Sequence, residues 1–186
     1  LILGMNLDIE YIMPAHGIIW KDYIADIIET YKGIAAQKVE NKAVIVYESV
    51  WKHTQQIAES LAEGFSDAGM DVKVYKLSDT KSSIVMREIM DAKVVCIGSG
   101  TYNNVMAPSV AAFLEHIRPC KFKNKKGLAF AAYGWFNQVA KEIDTRMQQS
   151  GIESCHDVIN QCYTPSDDQL EDYFNVAKEI AKNCQE

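Results

Sequence analysis

From Asn41 onward, short apolar runs alternate with helix-patterned stretches, and this alternation narrows the possible folds more than any other feature. The runs are Ala43–Tyr47, Val72–Tyr75, Val94–Gly98, Leu128–Ala132 and a fifth near Val158–Cys162. They carry Val, Ile, Ala, Phe or Tyr at successive positions, as parallel strands buried on both faces do. Helical stripes lie between and after them. Thr54–Ala68 places Ile57, Leu61 and Phe65 four residues apart on one face. Ser83–Met90 is a short helix, and Gln138–Gln149 ends at Ser150-Gly151. Pro108 suits the first turn of a helix reaching Ile117, with Val110, Phe113, Leu114 and Ile117 inward. Ser166 and Gln169 form a capping-box start for a last helix reaching about Asn183. The expected architecture is an α/β three-layer sandwich around a five-stranded parallel sheet. Right-handed crossovers leave few strand orders, of which 2-1-3-4-5 is the commonest for five strands.

The first forty residues do not join this alternation. Ile9–Met13 reads as a strand and Pro14-Ala-His-Gly17 as a tight loop. Ile18–Tyr31 reads as an amphipathic helix with Trp20, Ile24, Ile27, Ile28 and Tyr31 on one side, a face that needs a partner. Gln37–Lys42 reads as a polar linker, which divides the chain into residues 1–41 and 42–186. The chain starts at Leu1, not Met, and so reads as the carboxyl part of something longer.

A chain of 186 residues supports one full core and little of a second. The net charge of -6 argues against nonspecific nucleic-acid or anionic-membrane binding. No apolar stretch reaches membrane-spanning length and no signal peptide is visible. Cys96, Cys120, Cys155, Cys162 and Cys184 are scattered and odd in number, which suits reduced thiols in a cytoplasm. Cys96 lies in a strand run and reads as core.

Three loops follow strand runs: Glu48–Thr54, Ser99–Asn104 and Ala132–Asn137. In an open parallel sheet, ligands bind beyond the carboxyl ends of the strands, so these loops converge on one rim. The first, holding Ser49, Val50, Trp51, Lys52, His53 and Thr54, opens a helix. Free N–H groups and the partial positive charge of a helix start favour an anion. The Ser49 and Thr54 hydroxyls and the His53 imidazole add donors, and Lys52 adds a charge that is also free to point into water. No Gly is present, so the loop is neither G-x-G-x-x-G nor G-x-x-x-x-G-K-[ST], and a terminal monophosphate is the simplest ligand. The competing reading is an ordinary turn capped by Ser49.

The second loop holds Ser99, Gly100, Thr101, Tyr102, Asn103 and Asn104. Gly and Asn tolerate positive φ, which lets a peptide turn toward a flat ring, and Tyr102 is placed to stack on one. In the third loop, Tyr133, Gly134, Trp135 and Phe136 offer a second wall. The competing reading is that these aromatics only pack the rim. A phosphate site beside an aromatic slot is what a flavin nucleotide needs.

These segments carry a family resemblance. Tyr47-Glu-Ser-Val-Trp51 through Thr54, Gly98–Asn104 with Pro108–Phe113, and Tyr133-Gly-Trp135 resemble the three FMN loops of the flavodoxin-like domain of flavodiiron proteins (A-type flavoproteins). Ile12-Met-Pro-Ala-His-Gly17 with Ile19-Trp20 resembles the end of that family's metallo-β-lactamase-like diiron domain, where His16 stands at the final iron-ligating histidine. The resemblance implies FMN as cofactor and an electron-transfer domain for a diiron centre that reduces oxygen or nitric oxide. It also implies a head-to-tail homo-oligomer and a redox donor such as rubredoxin or an NADH-linked reductase. The other iron ligands are absent, so His16 is a remnant expected to hold no metal by itself. His116 and His156 lack ligand spacing and read as surface residues. Departures from the family pattern are Gly100 for Pro, Phe136-Asn137-Gln138 for two glycines and an acid, and His53 for a small Ser or Asn.

Three other functions fit parts of the chain. A phosphorelay receiver would need an acidic pair after the first strand and an Asp after the third, but Glu48 and Ser99-Gly100 stand there. A flavodoxin-fold NAD(P)H-quinone reductase would share the rim. A degenerate scaffold without FMN would explain the third-loop departures.

Overall fold

The computed structural model describes residues 8–185, and the reading of Leu1 lies outside them. The chain divides into two compact units, Leu1–Lys38 and Val39–Glu186. In the first, Ile12 and Trp20 exchange both backbone hydrogen bonds, at 2.9 and 3.0 Å. This bridge holds Trp20 out of any helix, so α1 spans Ile24–Ala35 and not Ile18–Tyr31. Tyr23 precedes it with φ 58°, a left-handed residue that marks the break. No residue of α1 is buried.

In the second unit the elements run β1 (Glu40–Glu48), α2 (His53–Asp67), β2 (Asp71–Lys76), α3 (Ser82–Met90) and β3 (Ala92–Tyr102). There follow β4 (Val105–Met106), α4 (Pro108–Ile117), β5 (Lys126–Tyr133), α5 (Val139–Gln149), β6 (Glu153–Ser154), β7 (Ile159–Cys162) and α6 (Asp167–Gln185). The sheet order is β2-β1-β3-β5, with β6 and β7 both beside β5. The parallel core matches the expected 2-1-3-4-5, with the fifth strand split. β6 pairs with Lys126–Gly127 and β7 with Phe130–Tyr133. The expected linker Gln37–Lys42 is in part strand, because Glu40 and Lys42 already pair in the sheet.

The strands alternate cleanly between two cores. Val44, Val46, Val95, Ile97, Ala129 and Ala131 pack against α3, α4 and α5. Ala43, Ile45, Val94, Cys96, Leu128 and Phe130 pack against α2 and α6. Helices on both faces explain why these strands read as unbroken apolar runs. Gly98 sits between them because a Cβ there would collide with the Phe130 ring. The capping box of α6 forms: Ser166 N–H donates to Gln169 Oε1 at 3.0 Å, and Gln169 N–H to Ser166 Oγ at 3.3 Å.

The amino ends of the strands hold buried cations. Lys42 is salt-bridged to Glu88 at 3.0 Å and Asp91 at 2.5 Å. Burial pulls its ammonium pKa down, but these two carboxylates leave it raised overall. Lys125 is only 2% exposed and donates to the carbonyls of Met90 and Ala92 at 3.0 and 2.9 Å. Burial pulls its pKa down to about 8. Among the described residues, no helix is long and apolar enough to cross a membrane.

Candidate functional site

At the carboxyl ends of the strands lies a groove of about 390 Å³, within the range of small-molecule sites. Ser49, Val50, Trp51, His53 and Thr54 line it from the first loop, and Gly100, Thr101, Tyr102 and Asn103 from the second. Tyr133, Gly134 and Trp135 line it from the third, together with Ala132. Among the candidate residues of these loops, Lys52, Ser99, Asn104 and Phe136 are not in the lining.

The first loop turns into α2 through Lys52, an exposed residue with φ 66°. Lys52 occupies the N-cap position and makes no side-chain cap bond, so Ser49 is not the cap. The first intrahelical bond is Gln56 N–H to Lys52 O at 2.9 Å, which leaves the N–H groups before it without a helical acceptor. No acid stands in the first turn. At the start of α6 the opposite holds: a closed capping box and the acids Asp167 and Asp168 satisfy that end internally. Of these two helix starts on the α2/α6 face, only α2 is open to an anion. Glu48 stands behind the loop with a buried carboxylate, accepting from Ser49 N–H at 3.0 Å, Ser109 Oγ at 3.2 Å and Ser78 Oγ at 3.4 Å. Thr54 is 1% exposed and lines the groove, with its Oγ1 beside Gly100 of the second loop.

The second loop is a tight hairpin. β3 and β4 pair antiparallel, Tyr102 opposite Val105, across Asn103 and Asn104 at φ 45° and 69°. Two consecutive positive φ values define the type I′ geometry that Asn accepts. Asn104 Oδ1 accepts the Trp135 indole N–H at 3.0 Å, tying the second loop to the third. Ser99 is fully buried and spent on structure: its hydroxyl accepts from Ala107 N–H at 2.8 Å and donates to Gly100 O at 2.7 Å. Phe136 packs on the core below the rim, and so does Tyr102, whose phenol pKa is raised by burial and by Glu48.

Trp51 and Trp135 are 80% and 79% exposed, far beyond what folding requires of a tryptophan. Both border the groove. A flat aromatic ligand between such side chains would cover them, which rim packing alone leaves undone.

A fourth loop, after β7, escaped the sequence reading. Tyr163 lines the groove at φ 56°, and its N–H donates to Tyr133 O at 2.8 Å. Its ring lies against Gly134, where a Cβ would come within 3.4 Å of it. Thr164 Oγ1 is hydrogen-bonded to His53 Nε2 at 3.0 Å. The available signal was positional: a fifth parallel strand ends at the same rim as the other three.

The groove fits FMN in both parts, an open helix start for a phosphate and exposed tryptophans for a ring. The diiron ligand set does not fit. His16 is exposed, and among the described residues no three His, Cys, Asp or Glu side chains are placed to hold a metal ion. Of the other histidines, His116 is exposed and His156 half-buried.

Known proteins resemble the chain in sequence and fold. Residues 45–176 match the flavodoxin family. A nitric oxide reductase of Moorella thermoacetica is 40% identical over 80% of this chain and 37% of its own length. The rubredoxin oxygen:oxidoreductase of Desulfovibrio gigas superposes with a TM-score of 0.94 at 32% identity, covering 99% of this chain and 46% of that one. The flavodiiron protein of Giardia intestinalis gives 0.90 at 26%, covering 98% and 46%. The chain thus spans less than half the length of each. It belongs to the flavodoxin family, as an FMN-binding electron-transfer domain whose relatives are flavodiiron proteins.

Proposed function

We propose that this chain is the FMN module of a flavodiiron-type oxygen or nitric oxide reductase, with the diiron centre supplied from outside the described residues. The observation that carries the reading is the uncapped start of α2 opening into a groove flanked by two exposed tryptophans. Bound FMN supplies one- or two-electron exchange. The backbone N–H groups at His53 and Thr54, with the Ser49 and Thr54 hydroxyls, would hold the phosphate. Trp51 and Trp135 would flank the ring, with Tyr102 closing the groove floor, and these aromatics would exclude water and disfavour a negative charge on it. The hairpin at Asn103-Asn104 would offer backbone groups to the ring.

The first unit, Leu1–Lys38, is assigned to the tail of a metallo-β-lactamase-like domain, with His16 as its last ligand. The oxygen:oxidoreductase relative is named for rubredoxin, which supports a rubredoxin-type or NADH-linked donor here. Exposed Met13, Ile18, Ile19 and Tyr23 support a homo-oligomer. Five free cysteines support a cytoplasmic setting.

The test is reconstitution of the purified chain with FMN and with riboflavin, followed by anaerobic reduction and mixing with oxygen or nitric oxide. Metal content is measured on the same sample. The expected result is one tightly held, yellow FMN, weaker riboflavin binding, and no rapid nitric oxide consumption. NADH-driven quinone turnover would instead make the chain a quinone reductase. Failure to bind either flavin would make it an empty scaffold.

A further inference from the structure

We propose that Thr164 is a positioning residue for the anion end of the groove, acting through His53. The inference rests on the FMN reading and names a part of the site that the three loops do not contain.

His53 opens α2, the helix whose start has no side-chain cap, and its side chain lines the groove. Its Nε2 lies 3.0 Å from Thr164 Oγ1, across 111 positions of sequence. A neutral imidazole has one N–H and one bare nitrogen, and the bond made by one nitrogen decides the role of the other. The Thr164 hydroxyl can accept from Nε2–H or donate to a bare Nε2, and in the second case the ring proton is on Nδ1. That nitrogen then has an N–H to offer an anion at the helix start. In the other tautomer Nδ1 presents a lone pair, which repels a phosphate oxygen. An anion at the helix start favours the first tautomer, and Thr164 then satisfies the bare Nε2 and fixes the orientation of the ring.

The loop that carries Thr164 is held on both flanks. Tyr163 N–H is bonded to Tyr133 O at 2.8 Å on one side of Thr164. On the other side, the capping box joins Ser166 to Gln169. Gln169 Oε1 also accepts from Gln161 Nε2 at 3.2 Å, and Gln161 Oε1 accepts the Tyr173 hydroxyl. The loop is braced on both flanks, so the bond to His53 is not the chance contact of a loose segment. Outer-shell partners that fix a histidine tautomer typically change affinity 10–100-fold when removed, in metal sites where this has been measured.

The test measures FMN and riboflavin affinity for the full chain, for Thr164→Val and Thr164→Ser, for His53→Ala, and for the double variant. Nitrogen-15 NMR of the histidines reads the tautomer. Thr164→Val should weaken FMN binding about tenfold, leave riboflavin unchanged, and lose its effect in the His53→Ala background. Thr164→Ser should retain wild-type FMN affinity. In the FMN form the His53 ring should carry its proton on Nδ1, and Thr164→Val should shift the Nε2 resonance by removing its hydrogen-bond partner. An equal loss for both flavins, additive effects of the two substitutions, or a wild-type ring protonated on Nε2 in the FMN form would overturn the inference. A wild-type chain that does not prefer FMN to riboflavin would instead overturn the phosphate site, a separate result.

Discussion

Replacing Lys125 with Met should remove a rising component from the pH dependence of stability. The ammonium is 2% exposed and bonded to two carbonyls, with its pKa down at about 8 from an ordinary 10.5. Desolvation is the main cause, reinforced by Lys42 and opposed by Asp91. A depressed lysine means that the unfolded chain binds the extra proton between the two values. Stability therefore rises with pH across that window, and the full cost is present below about pH 8. A shift of 2.5 units is worth about 3 kcal/mol, and about 2 kcal/mol of it is recovered between about pH 7.5 and 9.5. Tyrosines and thiols titrate in the same range with the opposite sign, so the measurement is a difference. Urea unfolding of wild type and Lys125→Met at both pH values should give a wild-type advantage that grows by about 2 kcal/mol. The unpaired carbonyls left by Met add a constant offset and do not affect the slope. A difference that stays flat, or shrinks as pH rises, would refute the account of Lys125 as a buried, destabilised cation.

Flavin fluorescence of the FMN form should be strongly quenched, and Trp51→Ala with Trp135→Ala should restore most of it; quenching that survives both changes would place the ring elsewhere. Cys162 is exposed, whereas burial pushes the Cys155 thiol up to about 12, so a thiol reagent near neutral pH should label Cys162 first, as peptide mapping would read. Phe65→Ala empties a fully buried site between α2 and the sheet and should cost about 3–5 kcal/mol in denaturant unfolding. Gly134→Ala puts a methyl 3.4 Å from the Tyr163 ring, an ordinary contact, and should leave the thermal midpoint little changed.

The sequence was most legible where side-chain chemistry acts locally. Pro108 begins α4 as its fixed φ requires, and Ser166 with Gln169 closes the capping box of α6. The apolar runs read as strands because both faces are covered. Legibility failed where distant partners override local preference. Glu40–Lys42 looked like a linker, yet Lys42 is buried because Glu88 and Asp91 wait for it. Trp20 fits a helical stripe, but its bridge to Ile12 takes it away. Tyr163 carries a left-handed φ that no Gly or Asn announced. Its place in the groove depends on Tyr133 and Gly134, which lie far from it in sequence.

The two margins of the sheet bear on how copies of this protein can meet. β2 forms one margin and carries Asp71, Lys73 and Lys76, charges that disfavour a neighbouring strand. The other margin is broken into β6 and β7, of two and four residues, with an interruption between them. Charge guards one margin and interruption the other. Strand addition, the common route from a β-rich fold to fibrous aggregates, is therefore disfavoured at both margins of the described sheet. A rim that exposes two tryptophans can stay apolar for a ligand without the sheet beside it recruiting another chain.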